Sequence, residues 1–226
     1  MRILYKKAFT LAEVMITLLI IGIIASLTIP GLINSTNKAE YVTKLKKEYS
    51  VLNQAFNLIA LDAGGSIVND DNISSSIGGA TTAANAMNTF ATKLNIVKNC
   101  GSGMGCWYDS PLKYLDGSVW VAALDTSFNG QSGKAILADG AMMRVTINAN
   151  SCAGAGQFSV DSPLYGSTCG IIFIDVNGAS GPNQMGRDYF QFSITKYGIY
   201  PPEGSCDTIT STGCAKKVLA EGAMNY

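Results

Sequence analysis

Three observations predict an α+β chain in which a long N-terminal helix leads into an antiparallel β head. Phe9–Ile29 is an unbroken apolar run. A helical stripe of apolar residues then recurs from Val42 to Ile59. From Val119 onward, short β-type runs alternate with turn signals.

The composition sets the outer bounds. At 226 residues the chain holds one ordinary domain plus a membrane element. Charged residues make up 14% against 47% hydrophobic, so the chain is a folded, apolar one rather than a disordered one. There is no histidine. That removes the commonest general base and metal ligand, leaves no evident nucleophile–base pair, and argues against an enzyme. Arg2, Lys6 and Lys7 carry charge without an acidic neighbour; the remaining 13 basic residues face 16 acidic ones. No basic stripe with interleaved aromatics marks a nucleic-acid surface.

Residues 1–8 form a short basic leader. The run FTLAEVMITLLIIGIIASLTI that follows contains a single ionisable group, Glu13. As a helix, it spans about 31 Å, the thickness of a bilayer's hydrocarbon core. The basic cluster ahead of it predicts a cytoplasmic N-terminus, with everything after Pro30 facing outward. A secretory signal peptide has a shorter apolar region, and a plain signal anchor leaves Glu13 unexplained. A carboxyl group inside a membrane segment is expensive and marks a functional position.

The string KKAFTLAEVMITLLIIGIIASLTIP resembles the N-terminus of type IV prepilins and type II secretion pseudopilins. In that family a basic leader ends in a small residue before a phenylalanine, and a glutamate is the fifth residue of the mature chain. Lys6-Lys7-Ala8 precede Phe9 here, and Glu13 stands in the glutamate position. Ala8 takes the place of the family's usual glycine, and Pro30 falls where the family commonly has a proline at the end of the membrane stretch. The resemblance implies cleavage between Ala8 and Phe9 by a prepilin peptidase, N-methylation of Phe9, and assembly through Glu13 with the terminal ammonium of a neighbouring subunit. It further implies as partners other pilin or pseudopilin subunits, in a homo- or hetero-polymer, and an inner-membrane assembly machinery. The subunit is expected to cross the inner membrane once, with its head periplasmic or extracellular, and to reach a surface filament after assembly. A minor, adhesin-like subunit or a simple signal-anchored binding module is the alternative.

Past Pro30, where a kink is expected, Val42, Leu45, Tyr49, Leu52, Phe56 and Ile59 recur at steps of three and four, one face of a helix. Residues 31–63 therefore read as an amphipathic continuation of the apolar helix 9–30, with Lys38, Glu40, Lys44, Lys46, Lys47 and Glu48 placed off the stripe. Gly64-Gly65 supplies a glycine C-cap. The head, residues 64–226, starts with a polar loop to Gly79 and a short helix from Ala83 to Leu94. Strands are expected at Ser118–Leu124, Lys134–Ala138, Met142–Asn148, Gly170–Val176 and Tyr189–Thr195, with Asp139-Gly140 as a type I′ hairpin turn. The second half of the long helix packs on this sheet, the layout that the resemblance also implies.

All six cysteines lie in the head. Their even number behind a membrane-directing segment favours disulfides, and sequential pairing closes the shortest loops: Cys100 with Cys106, Cys152 with Cys169, Cys206 with Cys214. Zinc-type paired spacing is absent. CGSGMGCW, from Cys100 to Trp107, lacks the lysine–hydroxyl ending of a phosphate loop. Asp175, Asn177, Asn183 and Asp188 place oxygen ligands on one turn-rich loop, chemistry that suits calcium; Asx and glycine residues also build such turns without metal. Some pseudopilins carry a calcium-bound loop near the end of the head, and no other cofactor is implied.

Overall fold

The computed structural model describes residues 9–67, 80–148, 150–207 and 211–226. The chain forms two units, Met1–Ala39 and Glu40–Tyr226. One helix, α1 (Leu11–Asp62), contributes to both.

In the first unit the apolar side chains are exposed on every side of the helix rather than along one stripe: Leu11, Met15, Leu18, Leu19, Ile21 and Leu27 are all more than half accessible. A helix that is apolar all round belongs inside a core or a membrane. Among the described residues this is the one helix long and apolar enough to cross a bilayer. Its hydroxyls are turned back on the backbone. Thr17 donates to the carbonyl of Val14, Ser26 to that of Ile23 and Thr28 to that of Ile24. Hydrocarbon offers no partner for a polar group, so these bonds suit that solvent. Pro30 lies inside the helix. It has no N–H, so the Ser26 carbonyl loses its intrahelical donor there.

In the second unit α1 presents Tyr41, Val42, Leu45, Leu52, Ala55, Phe56 and Ile59 to the core, with Tyr49 half-buried and stacked on Phe192 at 5.3 Å. The helix stops in a Schellman motif. Gly65 N–H donates to the Ala60 carbonyl (2.7 Å) and Gly64 N–H to that of Leu61 (3.1 Å), while Gly64 takes φ 80°. A second helix, α2 (Ala80–Ala91), adds Ala86, Met87 and Phe90 to the same core.

Both helices cover one face of a six-stranded antiparallel sheet. Its strands are β1 (Ile96–Gly101), β4 (Gly133–Leu137), β5 (Met142–Ile147), β6 (Thr168–Asp175), β7 (Tyr189–Thr195) and β8 (Gly198–Tyr200), in that spatial order. From β4 to β8 the sheet is a meander, so sequential neighbours pair; β1 is added at the far edge against β4. This is the α+β arrangement that the sequence predicts.

Alternation along the strands separates two clusters. Met143, Val145, Ile172, Ile174, Phe190, Phe192 and Ile194 face the helices. Ile171, Phe173 and Tyr189 point to the other face, where Trp107, Tyr108, Leu112, Trp120 and Leu124 cover them. That cover comes from a small hairpin, β2 (Leu112–Lys113) and β3 (Val119–Val121), and a one-turn helix, α3 (Leu124–Ser127). A last helix, α4 (Cys214–Glu221), closes on Gly222 at φ 67°.

Several boundaries differ from the sequence reading. The run expected as a strand through Leu124 ends at Val121, because Leu124 opens α3. The β4–β5 turn is not type I′. Only Gly140 takes positive φ (90°), and its N–H donates to the Leu137 carbonyl at 3.0 Å. The loop is therefore a three-residue hairpin with glycine at the bulge. Strands β1, β2 and β8 and helices α3 and α4 were not expected, and α2 spans Ala80–Ala91 where the sequence predicts Ala83–Leu94. Of the polar loop 64–79, residues 68–79 lie outside those described.

The disulfides are Cys100–Cys106, Cys152–Cys169 and Cys206–Cys214. They tie β1 to the loop after it, the turn before β6 to that strand, and the segment ahead of α4 to its first residue.

Candidate assembly site and the chemistry of the head

Glu13 sits in the first turn of α1, and Thr10 immediately precedes the helix. The two form a reciprocal cap. The Glu13 carboxylate, through Oε2, accepts from the Thr10 N–H and from the Thr10 hydroxyl, each at 2.8 Å. The Glu13 N–H donates to Thr10 Oγ1 at 3.3 Å. This is a capping box, in which two backbone donors that the helix leaves unpaired find side-chain acceptors. The T-L-A-E spacing carried that signal in the sequence, and reading Glu13 only through its family position missed it. Phe9, at 86% exposure, lies one residue before the cap. Ala8 lies outside the described residues.

Two consequences follow from this geometry. A cut between Ala8 and Phe9 would remove no atom of the cap, because the Thr10 amide and hydroxyl would remain. The bonds from Thr10 all fall on Oε2, so they leave Oε1 available as an acceptor.

The head holds buried polar groups that no local sequence pattern predicts. Glu48 is 1% exposed, although it was placed off the apolar stripe. It lies three residues after Leu45 and four before Leu52, so helical spacing does put it on the buried face. Its carboxyl faces Asp139 at the tip of the β4–β5 hairpin. Lys47 bridges the two, with Nζ 3.2 Å from Glu48 Oε1 and an ion pair to Asp139. Burial raises the Glu48 carboxyl to about 7, helped by the hydrogen bond and charge of Asp139. Burial acts on Asp139 as well, but hydrogen bonds from Glu48, Lys47 and the Ala141 amide outweigh it and lower that group to about 2. Between those two values the pair thus holds one proton, on Glu48, and it loses that proton as pH rises through about 7.

On the opposite face of the sheet, Lys134 is fully buried and donates to Asp125 Oδ1 (2.7 Å) and to the Asp125 carbonyl (2.9 Å). Arg144 lies between the rings of Phe128 (3.8 Å) and Phe173 (4.1 Å) and donates to the Tyr189 hydroxyl at 3.2 Å. Each charge has a partner, as burial requires.

The four residues of the expected calcium loop fall within one turn system between β6 and β7. Asp175 accepts from the Tyr108 hydroxyl (2.7 Å, Oδ2) and the Asn177 N–H (3.2 Å, Oδ1). Asp188 accepts from the N–H groups of Asn183 and Gln184, each at 2.7 Å and each on a different oxygen. All four carboxylate oxygens therefore already take hydrogen bonds from the chain. Burial, followed by the charge of Asp188, pushes Asp175 well up; burial raises Asp188 to about 6 against those amide bonds. The other two residues of the loop differ: Asn177 Oδ1 and Asn183 Oδ1 are buried without a hydrogen-bond partner. Among the described residues no group of three or more acidic, cysteine or histidine side chains is placed to hold a metal.

Residues 4–29 match the family model of the prokaryotic N-terminal methylation motif, the signature of type IV pilins and pseudopilins. The match covers this N-terminal segment, which is therefore similar to that of the pilin-like precursors that prepilin peptidase processes. No curated protein and no solved structure matches it.

Proposed function

We propose that the chain is a structural subunit of a type IV pilus or a type II secretion-like pseudopilus, assembled through the first turns of α1. The reading rests on Glu13, a carboxylate held at the start of a helix that is otherwise apolar on all sides.

Cleavage after Ala8 would create an ammonium on Phe9, and methylation would retain its charge. In a filament that ammonium would meet the Glu13 carboxylate of a neighbouring subunit. The Thr10 cap serves this pairing in two ways. It fixes the carboxylate's direction before the neighbour arrives, which lowers the ordering cost of the contact. It also occupies one oxygen and leaves Oε1 to receive the ammonium. A charge pair in an apolar surrounding is strong and directional, whereas an unpaired carboxylate there is heavily penalised. Subunit register is then set at Glu13. The basic leader orients the precursor with its head outside the cytoplasm.

Filament yield tests this reading in a strain carrying its own prepilin peptidase. Glu13→Ala is expected to be cleaved like the wild type but left out of filaments. Thr10→Val, which removes the hydroxyl and keeps the N–H acceptor pair, is expected to give an intermediate yield. Wild-type filament numbers from Glu13→Ala would remove the proposed register contact.

A further inference from the structure

The outer face of the sheet carries an open cleft of about 480 Å³, bounded by the β2–β3 hairpin on one side and by the floor of β6 and β7 on the other. That volume is within the range of small-molecule sites, about 300–1,000 Å³. We propose that this cleft binds a neutral saccharide.

The walls are aromatic. Trp120 and Tyr114 are half-buried, so each keeps ring surface open to the cleft. Trp120 is held in place by packing against Phe173, with ring centroids 6.0 Å apart. Tyr114 is anchored through its carbonyl, which accepts from Gln184 Nε2 at 2.7 Å. The electron-rich face of such rings attracts the C–H groups that line one face of a pyranose.

The polar groups are unmet. Gln191 lies on β7 opposite Phe173 of β6 and is 3% exposed, yet its Nε2 has no hydrogen-bond partner. Gln157 reaches the same cleft from the loop before β6, and its buried Oε1 likewise has none. One is a donor and the other an acceptor. Leaving such groups unpaired is costly in an interior, and a sugar hydroxyl can both donate and accept. Thr212 adds a third polar side chain, a hydroxyl, to the lining.

No lining residue is charged, which disfavours an anionic or cationic ligand. Arg144, which stacks on the lining residue Phe173, has its guanidinium covered by the Phe128 and Phe173 rings. A purely apolar ligand would leave both amides unmet. A peptide strand finds no free ladder here, because the floor is a sheet face between paired strands rather than an edge.

The test uses the full chain in a detergent without a sugar headgroup, titrated with methyl glycosides of glucose, galactose, mannose and N-acetylglucosamine and followed by ligand-observed NMR. At least one glycoside is expected to bind saturably. Gln191→Leu is expected to weaken that binding about tenfold or more while leaving the thermal midpoint equal or higher, since it removes an unpaired buried amide. Gln157→Leu, in the loop, gives the same readout if the first variant misfolds. The proposal is overturned if no glycoside binds saturably, if Gln157→Leu and Trp120→Ala both leave binding unchanged, or if an uncharged tripeptide binds and the glycosides do not.

Discussion

Glu48→Gln is the perturbation for which the head makes the sharpest prediction. In the folded chain the Glu48 carboxyl is raised from 4.5 to about 7, whereas the unfolded chain leaves it near the lower value. Between those values the native state holds a proton that the unfolded state has released. Stability therefore falls as pH rises through that window, and ionising the buried group costs on the order of 3 kcal/mol once both states are charged. Asp139 acts in the opposite sense. Its contribution is complete above 3.8 and is lost as pH falls through about 2, below the Glu48 window. Asp188, raised to about 6, weakens the native state over part of the same range as Glu48, so the wild-type profile alone does not isolate one group. The variant does, because glutamine fills the same space and carries no proton to lose. Urea unfolding of both proteins, followed by tryptophan fluorescence at about pH 5 and about pH 8, gives the comparison. The wild type is expected to lose more stability across that interval than Glu48→Gln, by on the order of 3 kcal/mol. Parallel pH profiles would show that Glu48 does not titrate in this window.

Two further predictions concern packing and metal. At Gly133, where β4 passes beneath α2, a Cβ would overlap the Ala83 carbonyl and come within 2.6 Å of Met87 Cβ. Gly133→Ala should cost about 1–3 kcal/mol and lower the thermal midpoint by several degrees, and an unchanged midpoint would contradict the close approach of α2. Millimolar calcium tests the β6–β7 loop, where the Asp175 and Asp188 oxygens each take one chain donor and Asn177 Oδ1 and Asn183 Oδ1 have none; an unchanged thermal midpoint is expected if the loop is a turn system only. A site of micromolar affinity would instead add about 4 kcal/mol, visible as a clear rise.

The parts of the fold legible in the sequence are those with a strong local period or a sharp boundary signal. The run Phe9–Ile29, the stripe from Val42 to Ile59 and the Gly64-Gly65 stop mark α1 almost to the residue. Strands β5, β6 and β7 were legible from their β-branched and aromatic content. Strand β1 was not. It is an edge strand with Lys98 and Asn99 outward and two register shifts, so it shows no alternation. β8 has three residues, too few for a period to appear. The charged interior was illegible for a different reason. Lys134, Arg144, Asp125 and Glu48 are residue types normally found outside, and only the partners that the fold brings to them offset their burial. At the candidate assembly site Glu13 was legible in the sequence, and the structure added the reason its carboxylate is already oriented: Thr10, three residues earlier. The cleft was beyond sequence reading, since its walls come from residues as far apart as Tyr114 and Thr212.

The central claim is that this chain is a prepilin whose mature form begins at Phe9. Mass spectrometry of the N-terminus, on protein expressed with and without a prepilin peptidase, tests it most directly. With the peptidase present, the N-terminal peptide should start at a methylated Phe9 and lack residues 1–8; without it, the leader should remain. A chain that still carries the leader through Ala8 in the presence of an active peptidase would contradict the account and leave α1 as a simple membrane anchor.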